Sequence, residues 1–396
     1  MEKIVPPKYI MHILKTLRMR GHAAYLVGGC VRDILMSVRP QDWDICTDAL
    51  PEQVLDIFPG SVPTGLKHGT VTVKVNSRRA EVTTFRTEGG YADHRHPDSV
   101  RFVSDLRSDL SRRDFTMNAI ALSADGLVMD PFGGAEDIEN RLIRCVGEPE
   151  RRFEEDALRM FRCLRFAARL GFDIAPDTMR AIYRKAPLAL ELAPERVRDE
   201  LEKILLSPAP ETVYDLMAAG LLEGYARRPL SDKEPFKALG RLPKKALNRW
   251  AGLCAILLDL GSIRSAEEFL MSLRLDNRTV RCCAAAAELL AAPLPASAAD
   301  WKRLLSRLGV DPVSCAACCA DAIQGGRHSK ALKAVLKSGD CFSMKHLAVT
   351  GDDLLELGLK GRELGEMLSF LLDYVIDHPE NNRRELLLAL AGGMEE

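Results

Sequence analysis

Long hydrophobic runs are missing from this 396-residue chain. Charges or glycine interrupt every apolar stretch well before the ~18 residues that a membrane-spanning helix needs. The opening MEKIVPPKYIMHILK puts acid and proline where a secretory signal needs an apolar core, so the chain reads as cytoplasmic, without a membrane partner. Charge of one sign is also missing: 55 Lys+Arg face 56 Asp+Glu, and a net charge of −1 exerts no global pull on a polyanion. Local basic runs, Arg141 to Arg169 and Arg227 to Arg249, leave room for a groove that does. Aromatic residues are few, at 6%, yet 47% hydrophobic residues exclude a disordered or collagen-like chain. At ~150 residues per domain the length suggests two or three domains.

A disulfide framework is absent too. The 11 cysteines are odd in number and scattered through apolar or Ala-rich surroundings, as reduced and buried thiols are. Cys315 and Cys318 form a C-x-x-C next to Cys319, but the second pair of a zinc site is missing, and Cys282–Cys283 lack ligand spacing. Small core residues are the better reading.

What is present falls into two patterns. Up to about residue 145, helix and strand signals alternate: a helix over Tyr9 to Met19, the strand AYLV ending at Gly28-Gly29, the helix VRDILM, the strand WDIC, and LPEQVLDIF as a helix begun by Pro51. TVTVKV and AEVTTF alternate with period two around Asn76-Ser77, a hairpin signal, and AIAL pairs with LVMD across Asp125-Gly126. Thr87 to Ser99, rich in Gly, His, Asp and Arg, reads as a mobile loop between strands. Beyond about Glu148 apolar residues recur three and four apart, and the rest is helical, with soft boundaries near 145, 205 and 275.

Four clusters can carry chemistry. Asp42 and Asp44, two apart at the start of a strand, face one side, and two hard oxygen donors suit Mg²⁺ held with waters and substrate phosphates. Alone, such a pair is more often an exposed turn. Gly28-Gly29 opens a helix whose amides can approach a phosphate, with Arg32 in the first turn; a tight turn with Arg32 paired to Asp33 is equally consistent. In RRDFTMNA, leading directly into AIAL, Arg113 can meet phosphate oxygens and Asn118 a ribose hydroxyl, or the cluster is a charged cap.

The fourth cluster is EEDALRMFRCLRF, read as one helix. Asp156, Arg159, Arg162 and Arg165 recur every three residues on it beside apolar Leu158, Phe161, Leu164 and Phe166. A modest surface ion pair is the bland account of Asp156 with Arg159. The chemical account is more specific. A carboxylate accepts and a guanidinium donates, which together match an amine beside a ring nitrogen, the edge that cytosine and adenine share and that uracil and guanine lack.

With GGCVRD, DWD, RRDFTMNA and EDALRMFRCLRFAARLGF in order, the sequence resembles the class II CCA-adding enzymes, the poly(A) polymerase-like tRNA nucleotidyltransferases of bacteria. The likeness is strong in the N-terminal half and weaker in VTGDDLLELGLKGRELGEML. It implies an α+β nucleotidyltransferase head with a mixed β-sheet (residues 1–145), then an all-α neck that recognises the base (146–205), body (206–275) and tRNA-binding tail (276–396). Carried over by motif, Gly29 and Arg32 bind the nucleotide, Asp42 and Asp44 hold Mg²⁺ as the catalytic pair, and Arg113 sits on the incoming NTP. Asp156 and Arg159 read the base edge, supported by Arg162 and Arg165. The implied activity is addition of C, C and A to the tRNA 3′ end from CTP and ATP, without a template and with release of pyrophosphate.

Related activities compete with that reading. A bacterial poly(A) polymerase is expected to carry G-[RK]-[RK]-F-x-L-x-H-V after the D-x-D, and TGLKHGTVTV stands there instead. CC-adding relatives have a shortened loop, whereas Arg86 to Pro97 is of full length, although His96 replaces a commonly found arginine. An A-adding enzyme shares nearly the same motifs. A catalytically inactive tRNA-binding protein and a D-x-D glycosyltransferase are the readings from other classes; the first is opposed by intact Asp42, Asp44 and Arg113, and the second gives no reason for Asp156 and Arg159. No His-Asp dipeptide or H-E-x-x-H signals an appended phosphohydrolase. Oligomeric state stays open, with a homodimer among the options.

Overall fold

The computed structural model describes residues 4–89, 99–228 and 232–393, and the chain divides into two compact units, Met1–Gly224 and Tyr225–Glu396. In the first unit the strands are β1 (Ala24–Val27), β2 (Asp44–Thr47), β3 (Val62–Gly65), β4 (Thr70–Val75) and β5 (Arg78–Thr84). A separate antiparallel pair, β6 (Arg86–Gly89) with β7 (Ser99–Phe102), precedes β8 (Ala121–Ser123) and β9 (Val128–Met129). Seven of them form a mixed sheet in the order β3-β4-β5-β2-β1-β8-β9, in which only β2 and β5 run parallel.

The alternation in β4 and β5 sorts their side chains as expected. Val71, Val73, Ala80 and Val82 are buried, while Lys74, Arg79 and Glu81 face water. Asn76 turns the hairpin with φ of +52°, a left-handed conformation that Asn tolerates better than most residues.

Around the sheet lie α1 (Lys8–Met19), α2 (Gly29–Leu35), α3 (Pro51–Ile57), α4 (Leu106–Ser111) and α5 (Gly134–Glu139). α1 buries Ile10, Ile13, Leu14 and Leu17 completely, the stripe that 3.6-residue spacing dictates. The unit continues through α6 (Pro149–Glu155), α7 (Leu158–Leu170), α8 (Pro176–Lys185), α9 (Pro194–Leu205) and α10 (Val213–Ala218), with a small parallel pairing of β10 (Leu142–Ile143) and β11 (Asp173–Ile174).

Four local expectations are corrected. EEDALRMFRCLRF is two helices, because the chain is extended at Asp156 (φ −148°, ψ 103°) and α7 starts afresh. RRDFTMNA passes through a 3₁₀ turn, Thr116–Asn118, before the strand. Asp42 precedes β2, which begins at Asp44. The segment read as a loop from Thr87 starts as strand β6; the rest of it, with His96, lies outside the described residues apart from Ser99 in β7.

The second unit is helical: α11 (Ala238–Arg241), α12 (Ala246–Asp259), α13 (Ala266–Ser272), α14 (Asn277–Leu289), α15 (Ala298–Leu308), α16 (Val310–Ile323), α17 (His328–Ser338), α18 (Gly351–Glu356), α19 (Arg362–Asp377) and α20 (Arg384–Gly392). α12, α14 and α16 pack on one another through small residues such as Cys254, Cys283, Ala286, Ala316 and Cys319, all buried. Every cysteine of the chain is a free thiol, and all are buried except partly exposed Cys318. Among the described residues no helix is long and apolar enough to cross a membrane.

Candidate active site

β1 leaves the sheet at Gly28, whose φ of +77° a residue with a side chain rarely adopts, and Gly29 opens α2. A Cβ built on Gly28 would meet Nη1 of Arg113 at 3.1 Å and Oδ2 of Asp44 at 4.0 Å. The glycine turn, the arginine and the first carboxylate of β2 therefore converge on one spot. Beneath them the Cys30 thiol donates to the carbonyls of Val27 at 3.3 Å and Asp44 at 3.8 Å, and burial pushes its pKa to about 11. This keeps the thiol protonated as a donor that ties α2 to β2.

Asp42 and Asp44 are both exposed. Asp44 is also the register partner of Glu81 on parallel β5, so a third carboxylate shares its side of the sheet. Glu81 was not singled out from the sequence, although it occupies a water-facing position of the alternating strand AEVTTF. Displacement of water by neighbouring protein raises the Asp44 pKa; Arg113 opposes the rise, and Glu81 and Asp42 add to it. Crowded negative charge on hard oxygen donors fits a divalent cation that keeps waters and takes phosphate oxygens. Among the described residues no group of three or more His, Cys, Asp or Glu side chains forms a ready-made metal cage, and a cation held here would complete its shell with water and phosphate.

Arg113 has capacity for a ligand. Its Nη2 reaches Asp109 at only 3.4 Å, and its buried Nε has no hydrogen-bond partner among the described residues. Arg32 is different: it is 3% exposed, and its guanidinium donates to Asp33 at 3.0 and 2.6 Å and to Oδ1 of Asn118 at 2.9 Å. The pairing with Asp33 is thus realised. Asn118 in turn donates to Oδ1 of Asp114 at 3.0 Å, and Oδ2 of Asp114 accepts Nε and Nη2 of Arg162 at 2.9 and 2.6 Å. Burial alone would raise the Asp114 pKa, but Arg162 and the Asn118 hydrogen bond bring it down to about 2. A continuous polar chain, Arg32–Asn118–Asp114–Arg162, links α2 to α7.

Asp156 and Arg159 are close in sequence but not paired with each other. At the helix break Oδ1 of Asp156 accepts the Leu158 amide at 3.1 Å, a local bond by which aspartate favours a fresh helix start over continuation. The Asp156 carboxylate is held by Nη2 of Arg196, at 3.1 Å and 3.0 Å to its two oxygens. Arg159, 8% exposed, gives Nη1 to Glu155 at 2.8 Å and to the Arg152 carbonyl at 3.1 Å, and Nη2 to the Arg112 carbonyl at 3.0 Å. Arg165 pairs with buried Glu200. Arg196 and Glu200, four apart on α9, were not singled out either; that spacing places both on the face turned towards α7.

Phe166 gathers the arginines. The guanidinium carbons of Arg165, Arg32 and Arg162 lie 4.2, 5.3 and 5.6 Å from its ring centroid, within cation–π range. Phe115 meets the same ring edge-on at 5.8 Å.

A mixed sheet with two adjacent carboxylates beside a glycine turn, on the spot reached by an unsaturated arginine, defines a nucleotidyltransferase head. Residues 24–144 match the family described as "Poly A polymerase head domain", residues 171–225 "Probable RNA and SrmB- binding site of polymerase A", and residues 246–391 a tRNA nucleotidyltransferase domain 2. The chain is 39% identical over 391 residues to the CCA-adding enzyme of Geobacillus sp. (strain WCH70), covering 96% of this chain and 95% of that one. It is likewise 39% identical over 395 residues to the CCA-adding enzyme of Geobacillus stearothermophilus, covering 97% and 96%. The crystal structure of the Bacillus stearothermophilus CCA-adding enzyme in complex with CTP superposes with a TM-score of 0.83 at 35% identity, covering 99% of this chain and 98% of that one. The chain belongs to the family of CCA-adding enzymes. It is a nucleotidyltransferase that extends the 3′ end of tRNA with C, C and A from CTP and ATP without a nucleic-acid template, and nucleotidyltransferases of this family use divalent metal ions.

Proposed function

We propose that Asp42 and Asp44 hold Mg²⁺ as the catalytic pair, with Glu81 supporting the charge of the site. The observation that carries this reading is the approach of Arg113, Asp44 and the Gly28 turn to one another. Bound there, Mg²⁺ would lower the pKa of the tRNA 3′-hydroxyl and stabilise charge developing on the α-phosphate as pyrophosphate leaves. The Gly29 amide at the start of α2 and the spare donors of Arg113 orient the triphosphate. Arg32 and Arg162, tied together through Asn118 and Asp114, position α2 against α7 and so set the nucleotide between the metal site and the base reader.

Asp156 and Arg159 read the base edge, the carboxylate accepting the exocyclic amine and the guanidinium donating to the ring nitrogen, and Arg165, anchored by Glu200, supports them. The relative crystallised in complex with CTP supports nucleotide binding by this chain. We also assign the head, neck, body and tail to residues 1–145, 146–205, 206–275 and 276–396, and the enzyme to the bacterial cytoplasm, a reducing compartment in keeping with its free thiols.

The test supplies purified enzyme with tRNA ending before or within the CCA triplet and each NTP separately. Asp156→Ala should weaken discrimination among the four nucleotides more than it alters the metal requirement. An unchanged preference for C and A would refute the base-edge assignment.

A further inference from the structure

Arg196 lies in the first turn of α9 and meets a carboxylate 40 residues earlier in the chain. Its Nη2 spans both oxygens of Asp156 at 3.1 and 3.0 Å, while the Leu158 amide occupies Oδ1 at 3.1 Å. An ionised carboxylate offers about four lone-pair positions. With those bonds made, the position left over lies on Oδ2, and its direction is fixed from two sides.

Nη1 of Arg196 is buried and has no hydrogen-bond partner among the described residues. A guanidinium recruited to stabilise the fold would spend its donors on carbonyls and carboxylates, as buried Arg249 does on the carbonyls of Pro243 and Leu242. Here the gain from the ion pair is offset by a desolvated N–H that goes unmade. The residue is therefore placed for what it does to Asp156. Helix α9 does not depend on it for attachment, since Glu200, one turn on, holds Arg165 independently.

We infer that Arg196 is a positioning residue for nucleotide choice: sitting astride both oxygens of Asp156, it turns the remaining lone pair of Oδ2 towards the exocyclic amine of the incoming base. This rests on the base-reading assignment of Asp156. A carboxylate free to turn away would accept the amine poorly, and its pairing with a guanidinium would no longer match the edge of C or A.

The full-length enzyme and its variants Arg196→Met, Arg196→Lys, Asp156→Ala and Asp156→Ala/Arg196→Met test the idea in single-nucleotide incorporation with CTP, ATP, UTP and GTP. Arg196→Met should lower the ratio of kcat/KM for CTP or ATP over that for UTP or GTP by roughly tenfold, equivalent to ~1.4 kcal/mol. The change should fall mainly on KM, with kcat for CTP within roughly threefold and the melting temperature close to that of the parent. Arg196→Lys restores a charge on a shorter, flexible stem without the rigid guanidinium that holds Nη2 astride both oxygens, so KM recovers in part and discrimination does not. The double variant should match Asp156→Ala. Retained discrimination in Arg196→Met, with discrimination lost in Asp156→Ala, would overturn this inference alone. So would additive effects in the double variant. Retained discrimination in Asp156→Ala would overturn the base-edge assignment and this inference with it.

Discussion

Asp114→Asn is the sharpest test of how the site is held. The wild-type carboxylate accepts the Phe115 amide at 2.8 Å and Asn118 at 3.0 Å on Oδ1, and Arg162 twice on Oδ2. Asn preserves Oδ1 but faces the Arg162 guanidinium with an NH₂, donor against donor. Breaking a buried ion pair costs ~3–5 kcal/mol. The Arg162 side chain is 35% exposed and can turn towards water, which brings the expected loss to about 2–3 kcal/mol. The depressed pKa leads to a similar figure: from the ordinary 3.8 to about 2 corresponds to ~2 kcal/mol. In a unit of this size that is a fall in melting temperature of roughly 4–12 °C.

The pH dependence has a definite sign. A carboxyl with a lowered folded pKa contributes fully above its unfolded value, 3.8, and its contribution is lost as pH falls through about 2. Calorimetric melting of both proteins between pH 7 and pH 2 should show the wild-type advantage shrinking over that acid window. Equal melting temperatures at pH 7, or a difference that persists undiminished at pH 2, would refute the latch.

Asp42→Ala or Asp44→Ala should abolish incorporation of CMP and AMP while tRNA binding in a filter assay stays largely intact; normal turnover in either would remove the metal assignment. Glu81→Gln should raise the Mg²⁺ concentration for half-maximal activity by roughly tenfold, because Asp44 loses its in-register neighbour in a shared cation site. An unchanged titration would leave Glu81 outside the metal's influence. Brief alkylation of the native protein should modify Cys318 before any other of the 11 cysteines, as read by peptide mass, since it alone is partly exposed. Early labelling of Cys30 would contradict its burial and its raised pKa.

Local pattern made much of this legible. The β4–β5 hairpin and the stripe of α1 follow from period two and period 3.6 within one element, whereas of Asp42 and Asp44 only the second lies in β2. What escaped is decided between elements. The helix break at Asp156 hides because apolar periodicity continues on both sides of it, and an aspartate looks alike inside a helix and at its start. Evenly spaced Asp156, Arg159, Arg162 and Arg165 suggest mutual neighbours, but each finds its charge partner elsewhere: Arg196, Glu155, Asp114 and Glu200. Glu155 alone is local, and the other partners depend on how α9 and the turn after α4 pack against α7. Glu81 escaped for the same reason, since its closeness to Asp44 comes from a parallel pairing of strands 37 positions apart in register.

The acids at the start of β2 and the acid at the α6–α7 junction belong to different pieces of backbone, joined through Arg32, Asn118, Asp114 and Arg162. With the acids at β2 proposed to hold the metal and Asp156 proposed to read the base, bond-making and letter choice become separable in evolution and in the laboratory. A lineage could trade its alphabet near residue 156 while running on an unaltered engine, and an engineer seeking an enzyme that writes other letters has a place to begin that leaves the engine alone.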